Sequence, residues 1–313
     1  MEMDWCDLPK DMLFSIAMRM DHLSDYVRFG GVCKSWRSAI IGGNTRTTPL
    51  HLRLPFLLLS DETGDHALYS PLERKLHPIR LPDRPPRMER FLGSSSDGWL
   101  CMVDDEDNLY LRNPFFSGAV SLPCSWKWTT AKWPGDARWT VLKASLEFVN
   151  DVVFFNENLY VVDRRAVRVV AMDLHQGREM MVVDAPDGFL HCMHMMGKGN
   201  YMHLAAGPSG PLLVLCHLKN NSFETERFQL FVLDGILKKW VETRSLDEGM
   251  LFLGWNTAIW LSSSSGLKES KGNSIYFIDE NKDLGIFYLE DGTFGSVSGL
   301  PSDYSYELAV PIP

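Results

Sequence analysis

Ser274-Ile275-Tyr276-Phe277-Ile278, followed after a polar connection by Gly285-Ile286-Phe287-Tyr288-Leu289, decides the class of fold. Each run is short, rich in aromatic and β-branched residues, and bounded by turn formers, which is how a strand reads. Neither shows the three- and four-residue recurrence of a helix. Working outward, the same reading places strands at 51–59, 99–103, 107–112, 152–155, 159–162, 167–172, 179–183, 211–218, 228–233, 251–254 and 257–261, with weaker candidates between. Asp97-Gly98, Asn156-Glu157-Asn158, Asp187-Gly188 and Asp291-Gly292 punctuate them as turns. Loose echoes, Asn108-Leu109-Tyr110 against Asn158-Leu159-Tyr160, and runs ending at Asp173, Asp234 and Asp279, suggest a degenerate repeat. Roughly twenty strands at about four per blade predict a β-propeller of five or six blades. A pair of β-sandwiches is the alternative.

The period changes before residue 42. Met12, Leu13, Ile16, Ala17 and Met20 form one apolar face at helical spacing, with Pro9 at a first helical position and Asp11 at the positive end of the dipole. Ser24 is an N-cap for a second helix carrying Tyr26, Val27 and Phe29. Val32, Cys33, Trp36 and Ile40 make a third stripe. Gly42 to Pro49 reads as a linker. The fold class is therefore mainly β: an all-α module of about three helices at 1–45, then a β domain at 46–313. A module of about 40 residues rarely buries enough surface alone, so its apolar faces predict a partner.

The formal net charge of −9 argues against a whole-surface grip on nucleic acid. Residues 1–41 hold five Lys/Arg and six Asp/Glu, a net of −1, so −8 belongs to the rest. Asp4, Asp7 and Asp11 interrupt the place of a secretory signal, and apolar runs such as Phe56 to Leu59 and Leu212 to Cys216 are too short to span a membrane. Six cysteines stand without a C-x-x-C pair, which predicts reduced, mostly buried thiols in the cytoplasm or nucleus.

Leu8-Pro9-Lys10-Asp11-Met12-Leu13-Phe14-Ser15-Ile16 resembles the opening of an F-box, and Leu23 to Phe29 with Val32-Cys33-Lys34-Ser35-Trp36-Arg37-Ser38-Ala39 resembles its second half. The match covers about 35 residues, at family spacing. It implies docking of a Skp1-like protein, and through it a cullin, by Leu8, Pro9, Met12, Leu13, Ile16, Leu23, Val27, Val32, Cys33 and Trp36. Gly30-Gly31 departs from the family pattern and would loosen the junction of the second and third helices. The β domain resembles the propeller of plant F-box proteins catalogued as DUF295. The resemblance rests on Lys271 to Asp279, Asp283 to Leu289, Phe231 to Asp234, Lys239-Trp240, Leu251 to Gly254, Asp151 to Phe155 and Asn113-Pro114. It implies a plant origin. The stretch between Leu122-Pro123 and Trp139 is shorter than in such relatives, which predicts an incomplete blade.

Chemistry finds little foothold. His191-Cys192-Met193-His194, with His203 nearby, has no second ligand pair for structural zinc, so no metal is expected. Arg80, Arg84, Arg87 and Arg90 among prolines read as a solvated loop before an anion grip. Gly197-Lys198-Gly199-Asn200 lacks P-loop spacing. Trp126, Trp128, Trp133 and Trp139 read as blade packing before a ligand platform. Asp104-Asp105 and Asp61-Glu62 read as solvated carboxylates, and no Ser-His-Asp or Cys-His motif is recognisable.

The expectation is a substrate-recognition adaptor of an SCF-type ubiquitin ligase. It is not an enzyme, has no cofactor, and binds an unknown protein substrate, with no nucleic acid and no membrane as partner. The alternatives are a ligand-binding or enzymatic propeller capped by its helices, and an F-box protein working outside a ligase.

Overall fold

The computed structural model describes residues 5–20, 23–41, 56–60, 66–70, 75–79, 90–94, 100–103, 109–112, 119–121, 130–131, 140–141, 149–163, 168–173, 176, 178–185, 200–206, 212–247, 249–254, 258–261, 272–278, 284–297 and 311–312. The chain separates into two compact units, residues 1–54 with 263–269, and residues 55–262 with 270–313.

The first unit is helical. A short 3-10 turn (Trp5–Asp7) leads into α1 (Lys10–Ala17), α2 (Leu23–Gly31) and α3 (Lys34–Ile41). Pro9 starts α1 because its extended backbone (φ −55°, ψ 139°) leaves its carbonyl to accept from the N–H groups of Met12 and Leu13. Leu13, Ala17, Phe29 and Ala39 are buried together, with Leu8, Met20 and Trp36 packed around them. Gly30 and Gly31 fall in the last turn of α2, where a helix tolerates glycine well.

The second unit is built of sheets of mostly antiparallel strands that follow one another along the chain. β1 (Phe56–Ser60), β2 (His66–Ser70) and β3 (Lys75–Ile79) form the first. β4 (Arg90–Ser94), β5 (Leu100–Val103), β6 (Leu109–Arg112) and β7 (Ala119–Ser121) form the second. Among the described residues β8 (Thr130–Ala131) and β9 (Thr140–Val141) make a ladder of two strands; β8 falls in the stretch whose shortness predicts an incomplete blade, and β9 just after it. β10 (Val149–Phe155), β11 (Asn158–Asp163), β12 (Arg168–Asp173) and β13 (Arg178–Asp184) follow. So do β14 (Tyr201–Ala206), β15 (Leu212–Lys219), β16 (Thr225–Asp234) and β17 (Lys239–Thr243). The last sheet holds β18 (Met250–Leu253), β19 (Ala258–Leu261), β20 (Ser274–Ile278), β21 (Leu284–Tyr288) and β22 (Phe294–Gly295). Finally β23 (Pro311–Ile312) pairs with β1, so the first sheet is completed by the far end of the chain. The described residues thus form five sheets of four or five strands and one ladder of two, a β-propeller arrangement.

Turn chemistry explains the hairpins. Asn156 (φ 45°) and Glu157 (φ 63°) both sit in the left-handed region, the geometry that joins β10 to β11 without splaying them. Asp291 accepts from the Thr293 N–H at 2.9 Å beside Gly292 (φ 69°), closing β21 onto β22. In the last sheet β18 pairs with β20 in parallel, and β19 lies on the other side of β18.

The sheet β14–β17 is covered on both faces. One face packs with β18–β21 around Leu215, Phe228, Leu251, Ile275, Phe277 and Phe287. The other packs with β10–β13 around Val162, Val169, Met202, Leu204, Val214 and Phe231. All eight residues of β15 are buried for that reason, and its first five, Leu212 to Cys216, are a continuous apolar run rather than an alternating one. β13, at a sheet edge, alternates instead. Of the cysteines in the described residues, Cys216 is buried and Cys6, Cys33 and Cys101 are only partly so.

Candidate partner-docking site

The ten docking positions expected from sequence divide by which way α1 and α3 turn them. Leu13 is fully buried and belongs to the module's own core, so it holds α1 in place and presents nothing outward. Leu8 and Trp36 pack at the edge of that core. The Trp36 ring lies 4.3 Å from Phe29, and its Nε1–H donates to the Trp5 carbonyl at 2.9 Å, which ties the 3-10 turn to α3. Cys33 is half-buried. Pro9, Met12, Ile16 and Val32 face outward, and Met12, Ile16 and Val32 are 54%, 41% and 56% exposed. Leu23 and Val27 lie on α2, but their side chains are outside the described residues.

Residues four apart on a helix share a face, which is why Met12 and Ile16 stand together. With Asp11, Ser15 and Arg19 they line an open groove along α1. Ser15 donates to the Asp11 carbonyl at 2.8 Å, so the hydroxyl in the groove is used locally. Trp5, 72% exposed, was missed by the sequence reading. Its only signal was an aromatic three residues before Leu8, in a segment too short to show a period. A small unit that keeps a buried core and still displays aliphatic and aromatic side chains is shaped for a protein partner.

The propeller contains a second chemical feature, a buried polar seam where β10 meets β14. Asp151 accepts from the Val152 N–H at 2.7 Å and the Leu204 N–H at 2.8 Å, so its carboxyl ties the edge of one sheet to the next. Burial pushes Asp151 up to about 7 against the pull of those two bonds. The His203 Nδ1 lies 3.9 Å from Asp151 Oδ2 and makes no hydrogen bond among the described residues. Burial lowers His203 to about 4. His217 is also pushed well below its ordinary value, by burial first and then by electrostatic repulsion from the neighbouring His203 and Lys219. It stacks 4.7 Å from Phe228 and shares a 2.9 Å hydrogen bond with Thr225 Oγ1. The seam is closed to solvent, which suits cohesion between sheets better than chemistry on a substrate.

No set of three or more His, Cys, Asp or Glu among the described residues is placed to hold a metal. His203 stands with Asp151 and His217; His191, Cys192 and His194 lie outside the described residues. So do Arg80, Arg84, Arg87, Trp126, Trp128, Trp133, Trp139, Asp61, Glu62, Asp104 and Asp105, while Arg90 opens β4. Among the described residues no helix is long and apolar enough to cross a membrane.

Comparison with known proteins sets this geometry in a family. A model described as the KIB1-4 beta-propeller matches residues 68–134 and 124–288. A model of the F-box domain matches residues 5–42, the whole of the helical region. The chain is similar to the F-box protein SKIP23 of Arabidopsis thaliana, 23% identical over 95% of this chain and 92% of the relative. It is also similar to the putative F-box protein At3g25750 of the same plant, 20% identical over 97% of each. The F-box protein At3g07870, also of Arabidopsis thaliana, is 32% identical over a shorter match, 39% of this chain and 31% of the relative.

Proposed function

Because this chain belongs to the KIB1-4 beta-propeller family and carries an F-box domain, we propose that it is the substrate-recognition subunit of an SCF-type ubiquitin ligase. The helical module docks a Skp1-like protein, and through it a cullin. The propeller holds the target. The chain has no active site of its own in this reading; it contributes proximity, bringing a target to a ubiquitin-loaded enzyme supplied by the rest of the ligase. Its place of work is the cytoplasm or the nucleus.

The observation that carries the docking assignment is the division of α1. Leu13 and Ala17 are wholly buried while Met12 and Ile16, one position before each, are exposed. Pro9, Val32 and Trp5 extend the outward apolar set. Aliphatic and aromatic anchors of this kind dominate the energy of interfaces when a partner encloses them.

The test is calorimetric titration of the full chain with a plant Skp1-like protein, beside the double variant Met12→Ala, Ile16→Ala. Binding by the wild type and at least a tenfold loss in the variant is expected, since truncating a central anchor typically costs about 2 kcal/mol. Equal binding by the two proteins would remove α1 from the interface.

A further inference from the structure

We propose that the turn between β16 and β17, residues 234–239, is the prong by which the propeller engages its target, and that the target presents an apolar recess rimmed by carboxylates. The inference rests on the adaptor reading above and names the kind of partner the propeller fits.

Ile236 is 93% exposed and Leu237 63% exposed, side by side at the tip of a hairpin. A lone exposed aliphatic residue is ordinary. Two adjacent ones on a fixed turn are not, because nothing in the fold gains from their placement. The turn is held rigid from beneath. Asp234 Oδ1 accepts from the backbone N–H groups of both Ile236 and Leu237, at 2.8 and 2.9 Å. Lys238 adopts a positive φ of 50° although it is not glycine, a conformation that costs the fold and is kept where the shape of the turn matters. Below the tip, Leu233 pairs with Trp240 and Asp234 with Lys239, and Trp240 packs against the core around Phe231. The tip is therefore presented without the entropy loss of ordering a loose loop on binding.

Charge selects the partner. The chain carries a net −9, yet the tip is followed by two exposed lysines, Lys238 and Lys239. The acid within the turn, Asp234, is engaged by backbone N–H groups, and Glu242 is the next acid along β17. An apolar knob beside two ammonium groups fits a recess with carboxylates at its rim. A lipid surface fits less well. Two aliphatic side chains bury far less than one acyl chain, which itself anchors only marginally. A protein recess encloses both side chains fully, as interface anchors require.

The experiment places the photo-reactive residue benzoylphenylalanine at position 236 of the full chain and crosslinks it in a plant extract. Each crosslinked protein is then purified and titrated against the wild type, against Ile236→Asp with Leu237→Asp, and against Lys238→Glu with Lys239→Glu. Thermal melts confirm that all three proteins are equally folded. The expected result is a protein that binds the wild type, binds the aspartate variant at least tenfold more weakly, loses several-fold on charge reversal, and weakens with added salt. No crosslinked protein, or equal binding to the variants, overturns the proposal. So does sedimentation of the wild type, but not the aspartate variant, with phosphatidylserine–phosphatidylcholine vesicles in place of any protein. Binding of a Skp1-like protein, measured on the same three samples, fails separately if the adaptor reading is wrong.

Discussion

Asp151 and His203 are shifted in opposite directions, and the consequence for stability can be worked out. Asp151 is raised to about 7 when folded, so its contribution is fully present below its unfolded value near 4 and is lost as pH rises through about 7. His203 is lowered to about 4, so its contribution is present above its unfolded value near 6.5 and is lost as pH falls through about 4. Between those limits the two slopes offset. The folded pair holds one proton on the carboxyl, and the unfolded chain holds one on the imidazole. The pair should therefore leave stability nearly flat from about pH 4.5 to 6.5. Asp151→Asn exposes the histidine's share, and its stability relative to wild type should rise with pH by up to about 1.4 kcal/mol per unit. His203→Gln should do the reverse. Urea unfolding of the three proteins at a series of pH values checks this, and parallel curves would refute it.

At the scale of the element, α1 separates two roles that one sequence stripe conceals. Leu13→Ala should cost about 2–5 kcal/mol and unfold the helical module, since the side chain is fully buried. Met12→Ala and Ile16→Ala should leave its circular dichroism and melting unchanged. Asn273, by contrast, has a purely structural role between elements of the propeller. Asn273 has a φ of 58°, its Oδ1 accepts from the Leu246 N–H at 2.8 Å, its N–H donates to the Gly249 carbonyl at 2.7 Å, and its carbonyl accepts from the Leu289 N–H at 3.1 Å. Asparagine is one of few residues suited to all of this. Asn273→Ala should destabilise the propeller by about 1–3 kcal/mol, read as a lower midpoint in urea. Gly285→Ala should also destabilise, because a Cβ there would stand 2.8 Å from the Phe277 ring.

At the scale of the whole molecule, the fold depends on a pairing between the two ends of the β domain. Phe56 pairs with Ile312 and Leu57 with Pro311. A chain ending at residue 309 would leave β1 with a bare edge. Its propeller should melt at least about 3 °C lower and aggregate more readily, while under the proposed adaptor role binding of a Skp1-like protein should be unchanged. A melt superimposable on wild type would show that closure does not need β23.

Much of this was legible from local pattern. Period 3.6 before residue 42 and short β-rich runs after it separate the two parts, because side-chain periodicity is written into neighbouring residues. Ser274–Ile278 is read with the bounds it adopts, and Asn156-Glu157-Asn158 forms the turn its composition predicts. Tyr201–Ala206 escaped notice because His203 breaks its apolar run, and only burial against Asp151 makes that histidine a core residue. Partner choice was decided elsewhere. The parallel pairing of β18 with β20, the return of β23 to β1, the inward turn of Leu13 beside an outward Met12, and a carboxyl meeting an imidazole 52 positions away (151 to 203) are set by which faces pack together. A residue's own type and its neighbours state what it can form; only the packed chain, where buried polar groups must find partners and strand edges must be covered, selects what it meets.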